Sequence, residues 1–123
     1  MDWEKASPEL GALLDEALAQ IDHEKRTMFG APAFFIHGNM FAGVYGHQIM
    51  VRLDSGDREE VAAAHPGAGP FEPMPGRPMK EYIVLPESVW DDHQELDRWL
   101  RRSQAFAASL PPKEKKPPRK KST

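Results

Sequence analysis

Cysteine is missing altogether from the 123 residues, which excludes a disulfide framework, thiol catalysis and a zinc ribbon. No stretch approaches the roughly 18 consecutive apolar residues of a membrane span. The opening Met1-Asp2-Trp3-Glu4-Lys5 lacks the basic start and apolar run of a signal peptide. These absences predict a soluble, cytoplasmic protein. Catalytic motifs are equally scarce. There is no Gly-rich phosphate loop, no H-E-x-x-H and no nucleophile elbow. Histidines stand at 23, 37, 47, 65 and 93, none spaced i, i+3 or i+4 from another. His37 and His47 would lie at opposite ends of one strand, too far apart to share a metal. The adjacent carboxylates Glu59-Glu60 and Asp91-Asp92 suit helix starts better than acid–base work. The chain is therefore expected to be no enzyme, with no metal and no cofactor.

What is present is enough for one domain. The formal net charge of −3 conceals a division. Residues 113–123 hold Lys113, Lys115, Lys116, Arg119, Lys120 and Lys121 against Glu114, a balance of +5, so the body before them carries −8. Residues 111–123 also contain Pro111, Pro112, Pro117 and Pro118, and no apolar side chain follows Leu110. Such a stretch buries too little to offset its ordering entropy. The division expected is a folded body over 1–110 and a disordered basic tail over 111–123.

Ser7 and Pro8 open a helix as N-cap and first residue. Leu10, Leu13, Leu14, Ala17, Leu18 and Ile21 then recur on one helical face, which predicts an end near Asp22-His23. From Thr27 to Leu53 the period becomes two. Gly38-Asn39 and Gly46-His47 read as two-residue turns between strands at about 33–37, 40–45 and 48–53, preceded by a short extended Thr27-Met28-Phe29. Pairing across those turns puts Phe35, Met40, Ala42, Val44, Ile49, Val51 and Leu53 on one face. The other receives Phe34, Ile36, Phe41, Tyr45 and Met50, with Gln48 and Arg52.

Ser55 or Asp57 caps a short second helix that stops at Pro66. The Pro- and Gly-rich run from Pro66 to Lys80 permits at most a short pairing near Phe71-Glu72, and Phe71, Met74 and Met79 tie it down. Tyr82-Ile83-Val84-Leu85 is a strand ended by Pro86. Asp92 with Glu95 three residues on reads as a capping box. The helix behind it places Leu96, Trp99, Leu100, Ser103, Phe106, Ala107 and Leu110 inward and Arg98, Arg101 and Arg102 outward. The pattern is α+β: two layers, an antiparallel sheet of four to five strands and three helices in the order α-β-β-β-α-β-β-α.

Two sets of residues are candidates for recognition. Large side chains on both faces of the sheet, Phe34, Ile36, Phe41 and Tyr45 on the second, ask for a cover, a partner or a second copy of the chain. Near them Arg52, Arg77, Lys80 and Tyr82 offer cations beside an aromatic ring for a carboxylate on a partner. The tail cations offer weak, sequence-independent contact with nucleic acid.

The chain also resembles the TfoX N-terminal domain family, the TfoX/Sxy-like proteins. The matching residues are Arg26-Thr27-Met28-Phe29-Gly30, Phe34-Phe35-Ile36, Gly38, Met40-Phe41-Ala42, Val44-Tyr45 and Val51-Arg52-Leu53. They resume with Pro70-Phe71, Gly76-Arg77-Pro78-Met79, Tyr82, Leu85-Pro86, Asp91-Asp92 and Trp99-Leu100-Arg101-Arg102-Ser103. The resemblance spans about residues 8–108. It implies a two-layer α+β domain ordered helix, three strands, helix, two strands, helix. It also implies a regulatory role, which full-length members exert on competence genes together with a second, C-terminal domain. It carries over no catalytic residue.

Overall fold

Ser7 caps the first helix. Its hydroxyl accepts from Leu10 N at 3.3 Å, Pro8 follows as the first helical residue, and its own N–H donates to the Gly46 carbonyl at 2.8 Å. The computed structural model describes residues 7–28, 30–72, 76 and 79–112, with Met28 described by its backbone alone. Phe29, Met74, Arg77 and residues 113–123, with the expectations placed on them, lie outside the described residues. In chain order the elements are α1 (Pro8–Ala17), β1 (Glu24–Met28), β2 (Ala31–Ile36), β3 (Asn39–Tyr45), β4 (Gln48–Arg52), α2 (Ser55–Ala64), β5 (Gly69–Pro70), β6 (Tyr82–Leu85), α3 (Glu87–Trp90) and α4 (His93–Ser109).

The six strands form one sheet in the order β1-β2-β3-β4-β6-β5, every neighbouring pair antiparallel. The class is α+β, with a strand and a helix more than the sequence suggests. β1 extends the hairpin from Glu24, and α3 is a single turn between β6 and α4. α1 stops five residues early, at Ala17, and turns carry the chain onward to Ile21. Asp54, rather than Ser55 or Asp57, caps α2, accepting from Asp57 N at 2.8 Å. The short pairing in the Pro-rich run falls at Gly69–Pro70, on the sheet edge, where a missing N–H is tolerated. None of the described helices is long and apolar enough to cross a membrane.

The largest departure from the sequence reading is a β-bulge. The first hairpin turns at His37-Gly38, both at positive φ (52° and 81°), one residue earlier than expected. Pairing begins Ile36↔Asn39 and Phe35↔Met40, then jumps to Phe34↔Ala42. Phe41 is the extra residue. An inserted residue inverts the facing of everything beyond it. Consequently Phe34, Ile36 and Phe41, expected on the second face, belong to the helix-covered core with Ala42, Val44, Ile49, Val51 and Leu53. Phe35 and Met40, expected in that core, pair on the opposite face.

α1 and α4 cover the core face. Leu14, Leu18, Trp99 and Leu100 are at 1% exposure or less against Phe34, Phe41, Ile49 and Val51. Ala31, Ala33, Phe35, Met50 and Phe71 are buried outside that cluster, as a second and thinner layer. There Phe71 meets Tyr45 edge-on at 5.4 Å between ring centroids.

Candidate functional site

The bulge leaves two neighbouring carbonyls for side chains to satisfy. From the helix layer, Ser103 Oγ donates to Phe41 O at 2.7 Å. From β6, Tyr82 OH donates to Met40 O at 2.9 Å. Burial raises the Tyr82 pKa, the nearby Arg52 acting against it and Glu81 with it, so the hydroxyl stays a donor. The phenol expected at a docking surface is therefore committed to holding β3, and only its ring remains for recognition.

Arg52 is tied down beside it. Its Nη2 lies 2.7 Å and its Nε 2.9 Å from Glu81 Oε1. The guanidinium carbon sits 5.7 Å from the Tyr82 ring and 5.9 Å from the Phe106 ring, within cation–π reach of both. Glu81 itself holds φ at 71°, a left-handed conformation that costs a non-glycine residue roughly 1–2 kcal/mol. Its carbonyl accepts from Leu53 N at 2.9 Å, so the end of β4 and the ion pair together hold it there. The turn continues inward, with Tyr82 N donating to Met79 O at 3.1 Å and Met79 N to Phe71 O at 2.9 Å.

Outside this turn lies an open groove of about 300 Å³ lined by Arg58, Pro70, Met79, Lys80, Glu81, Tyr82 and Ile83. Arg58 gives Nη1 to the Leu53 carbonyl at 2.7 Å. Lys80 is exposed and has no ion-pair partner among the described residues. The groove thus has an apolar floor, a fixed aromatic wall and cations at two points, which suits an anionic group attached to something apolar.

Of the candidate residues, the structure brings together Arg52, Lys80 and Tyr82. Tyr45 lies apart, against Phe71, and Phe34, Ile36 and Phe41 are in the core. Arg58, Glu81 and Phe106 complete the site without having been singled out from the sequence. A charged side chain on α2 and a strained one before β6 carry no local pattern. The outward arginines of α4 are all engaged. Arg98 stands 3.6 Å from Glu95, Arg101 2.9 Å from Asp97, and Arg102 3.1 Å from Asp57 and 2.9 Å from Glu60. Among the described residues no cluster of three or more His, Asp or Glu is placed to hold a metal ion.

No curated protein matches the chain. The family model described as the TfoX N-terminal domain matches residues 16–107, a span running from α1 nearly to the end of α4 and including the bulge, Ser103 and the Arg52–Glu81–Tyr82 turn. The chain belongs to the TfoX N-terminal domain family.

Proposed function

We propose that the chain is a non-enzymatic regulatory module that works by binding another protein in the cytoplasm, with the Lys80–Tyr82 groove as its docking surface. The observation that carries this reading is Lys80, an exposed cation in no ion pair among the described residues, on the rim of an apolar groove in an otherwise acidic body. An acidic segment with an apolar side chain is the complementary partner. Lys80→Glu reverses an exposed charge that takes part in no ion pair among the described residues, so folding should change by no more than about 0.5 kcal/mol. Partners captured by the intact chain are identified, purified and titrated against both forms. The variant should bind at least ~10-fold more weakly. Equal affinities would remove the groove from consideration. Self-association through the same surface would register as a concentration-dependent mass in sedimentation, abolished by the same variant.

The division of charge favours a second reading, an accessory nucleic-acid binder working through Lys113, Lys115, Lys116, Arg119, Lys120 and Lys121. The engaged arginines of α4 leave that work to the tail. Truncation should begin after Pro112, because Asn39 Nδ2 donates to Pro111 O at 3.2 Å. Duplex binding that survives truncation unchanged counts against the tail.

A further inference from the structure

His65 closes α2 as its C-cap residue. Its N–H donates to Val61 O at 2.8 Å and its carbonyl accepts from Ala68 N at 2.9 Å, so the ring starts from a fixed backbone. Nε2 lies 3.0 Å from Glu95 Oε1, and Nδ1 lies 2.9 Å from Ser88 Oγ. Three elements meet here: the end of α2, the first turn of α3 and the first turn of α4.

Glu95 does not close the capping box that its spacing suggests. Asp92 caps α4 alone, accepting from Gln94 N and Glu95 N at 3.0 and 3.3 Å. The Glu95 carboxylate turns to other donors instead. Besides His65, Oε1 accepts from Trp99 Nε1 at 3.1 Å, and Arg98 Nη2 stands 3.6 Å from Oε2. The His65 bond and then the Trp99 bond lower its pKa. At neutral pH the group is a carboxylate and can only accept hydrogen bonds. Nε2 must therefore carry the proton of the neutral ring. The free Nδ1 lone pair is then the acceptor for the Ser88 hydroxyl. A fixed carboxylate, an imidazole oriented by it and a hydroxyl on the unprotonated nitrogen are the parts that make serine a nucleophile.

Access agrees with that order. Ser88 is exposed, whereas the His65 side chain is only 13% exposed and the Glu95 side chain 22%. We propose that Ser88 is an activated nucleophile, the site at which this chain accepts an acyl group from an activated ester or thioester. Ser88 Oγ attacks the acyl carbon as its proton passes to His65 Nδ1. The carbon–oxygen or carbon–sulfur bond to the leaving group then breaks with its electron pair, and the imidazolium returns the proton to the departing alkoxide or thiolate. The product is an O-acyl serine and a free alcohol or thiol. The groove described above lies elsewhere and does not adjoin Ser88. The inference is accordingly one acylation per chain, not turnover, and it stands apart from the docking reading.

The test uses the full chain with p-nitrophenyl acetate, followed by peptide mass spectrometry to compare serines within the same molecule. Ser55 and Ser109 are exposed and lack an imidazole partner, so they give the background rate. Ser88 should be acetylated at least ~100-fold faster than either, the lower reach of general-base assistance. His65→Gln should bring it down to their level. The unmodified chain supplies a second readout that does not depend on the variant folding. Its Ser88 rate, relative to Ser55, should fall on acidification as the imidazole facing Glu95, Arg98 and Ser88 takes up a proton on Nδ1. A Ser88 rate equal to that of Ser55 and Ser109, or one indifferent to both pH and His65→Gln, would show that the three residues only brace the helices.

Discussion

On one side of the sheet, Phe34 and Phe41 lie beneath Trp99 and Leu100 of a 17-residue helix, with Leu14 of the first helix and Leu18 just past its end beside them. On the other, Ala31, Ala33 and Met50 border one hollow with Phe71, which belongs to no helix and follows a two-residue strand, and the Arg26 guanidinium lies over Phe35. Both layers exclude water, by different means. The helix side uses large rigid side chains meeting from several elements. The second side uses small residues and methionines, whose unbranched thioethers fill irregular space, and retains a hollow of about 40 Å³ bordered by Met40, Met50, Phe71 and Met79. One face is a fitted core. The other is a covering that can adjust.

That contrast breaks first on paired truncations. Phe41→Ala should cost about 3–5 kcal/mol, the range for a fully enclosed aromatic. Phe71→Ala should fall at the low end of that range, about 3 kcal/mol, because a short edge segment can settle into the space left behind. Urea unfolding of both variants checks this, and a Phe71→Ala cost equal to that of Phe41→Ala would make the two faces equivalent.

Added volume sharpens the same contrast on adjacent residues of β3. A Cβ at Gly43 would meet Met50 Cε at 2.8 Å and Pro32 O at 3.4 Å. The thioether methyl has the hollow to move into, so Gly43→Ala should stay within about 0.5 kcal/mol of the parent. Ala42→Val, one residue away on the helix face, should cost about 1–3 kcal/mol through overpacking. Reversal of that order in thermal or urea unfolding would place the adjustable layer under the helices.

The smallest expected effect concerns how the helix side is fastened at its rim. Bonds from His65 and Trp99 hold the folded Glu95 carboxyl below its ordinary pKa. The unfolded chain therefore binds the proton more readily. Glu95 contributes stability above the ordinary carboxylate range, about 4.3, and loses it as the pH falls through the lower folded value. Glu95→Gln should flatten the acid limb of a stability–pH profile. An unchanged limb would assign acid sensitivity to other carboxylates.

Much of the helix side is legible in the sequence, and less of the second side. The stripe from Leu10 to Leu18 and that from Leu96 to Ala107 repeat at helical spacing, and Leu14, Leu18, Val51, Trp99 and Leu100 are buried as expected. Asp92 and Ser7 announce their caps. The bulge leaves no such mark. Met40, Phe41 and Ala42 are consecutive apolar residues, so inserting one of them disturbs no visible alternation. Yet that one residue exchanges the faces of β2 and moves three expected surface residues into the core. Only the Thr27-Met28 end of β1 is legible as extended, because Glu24, Lys25 and Arg26 look like a solvated loop, and α3 is hidden because four residues cannot show a helical period. In the candidate site, Lys80 and Tyr82 were visible as a cation beside an aromatic. Arg58 and Glu81 are brought in only by tertiary placement, and Tyr82's grip on Met40 O depends on the unseen bulge.

The two margins of the sheet restrict how this molecule can meet others. β1 presents Glu24, Lys25 and Arg26, all exposed, with Lys25 bound to Asp15 at 2.9 Å and Arg26 to Glu24 at 3.1 Å. At the opposite margin β5 is two residues long and includes Pro70, which has no N–H to offer. A strand from another chain would find charge on one margin and an incomplete hydrogen-bonding template on the other, the features by which natural sheets resist growing edge to edge. Fibrillar stacking and strand addition are thereby disfavoured together. Association is left to side chains, such as the exposed Lys80, which joins no ion pair among the described residues.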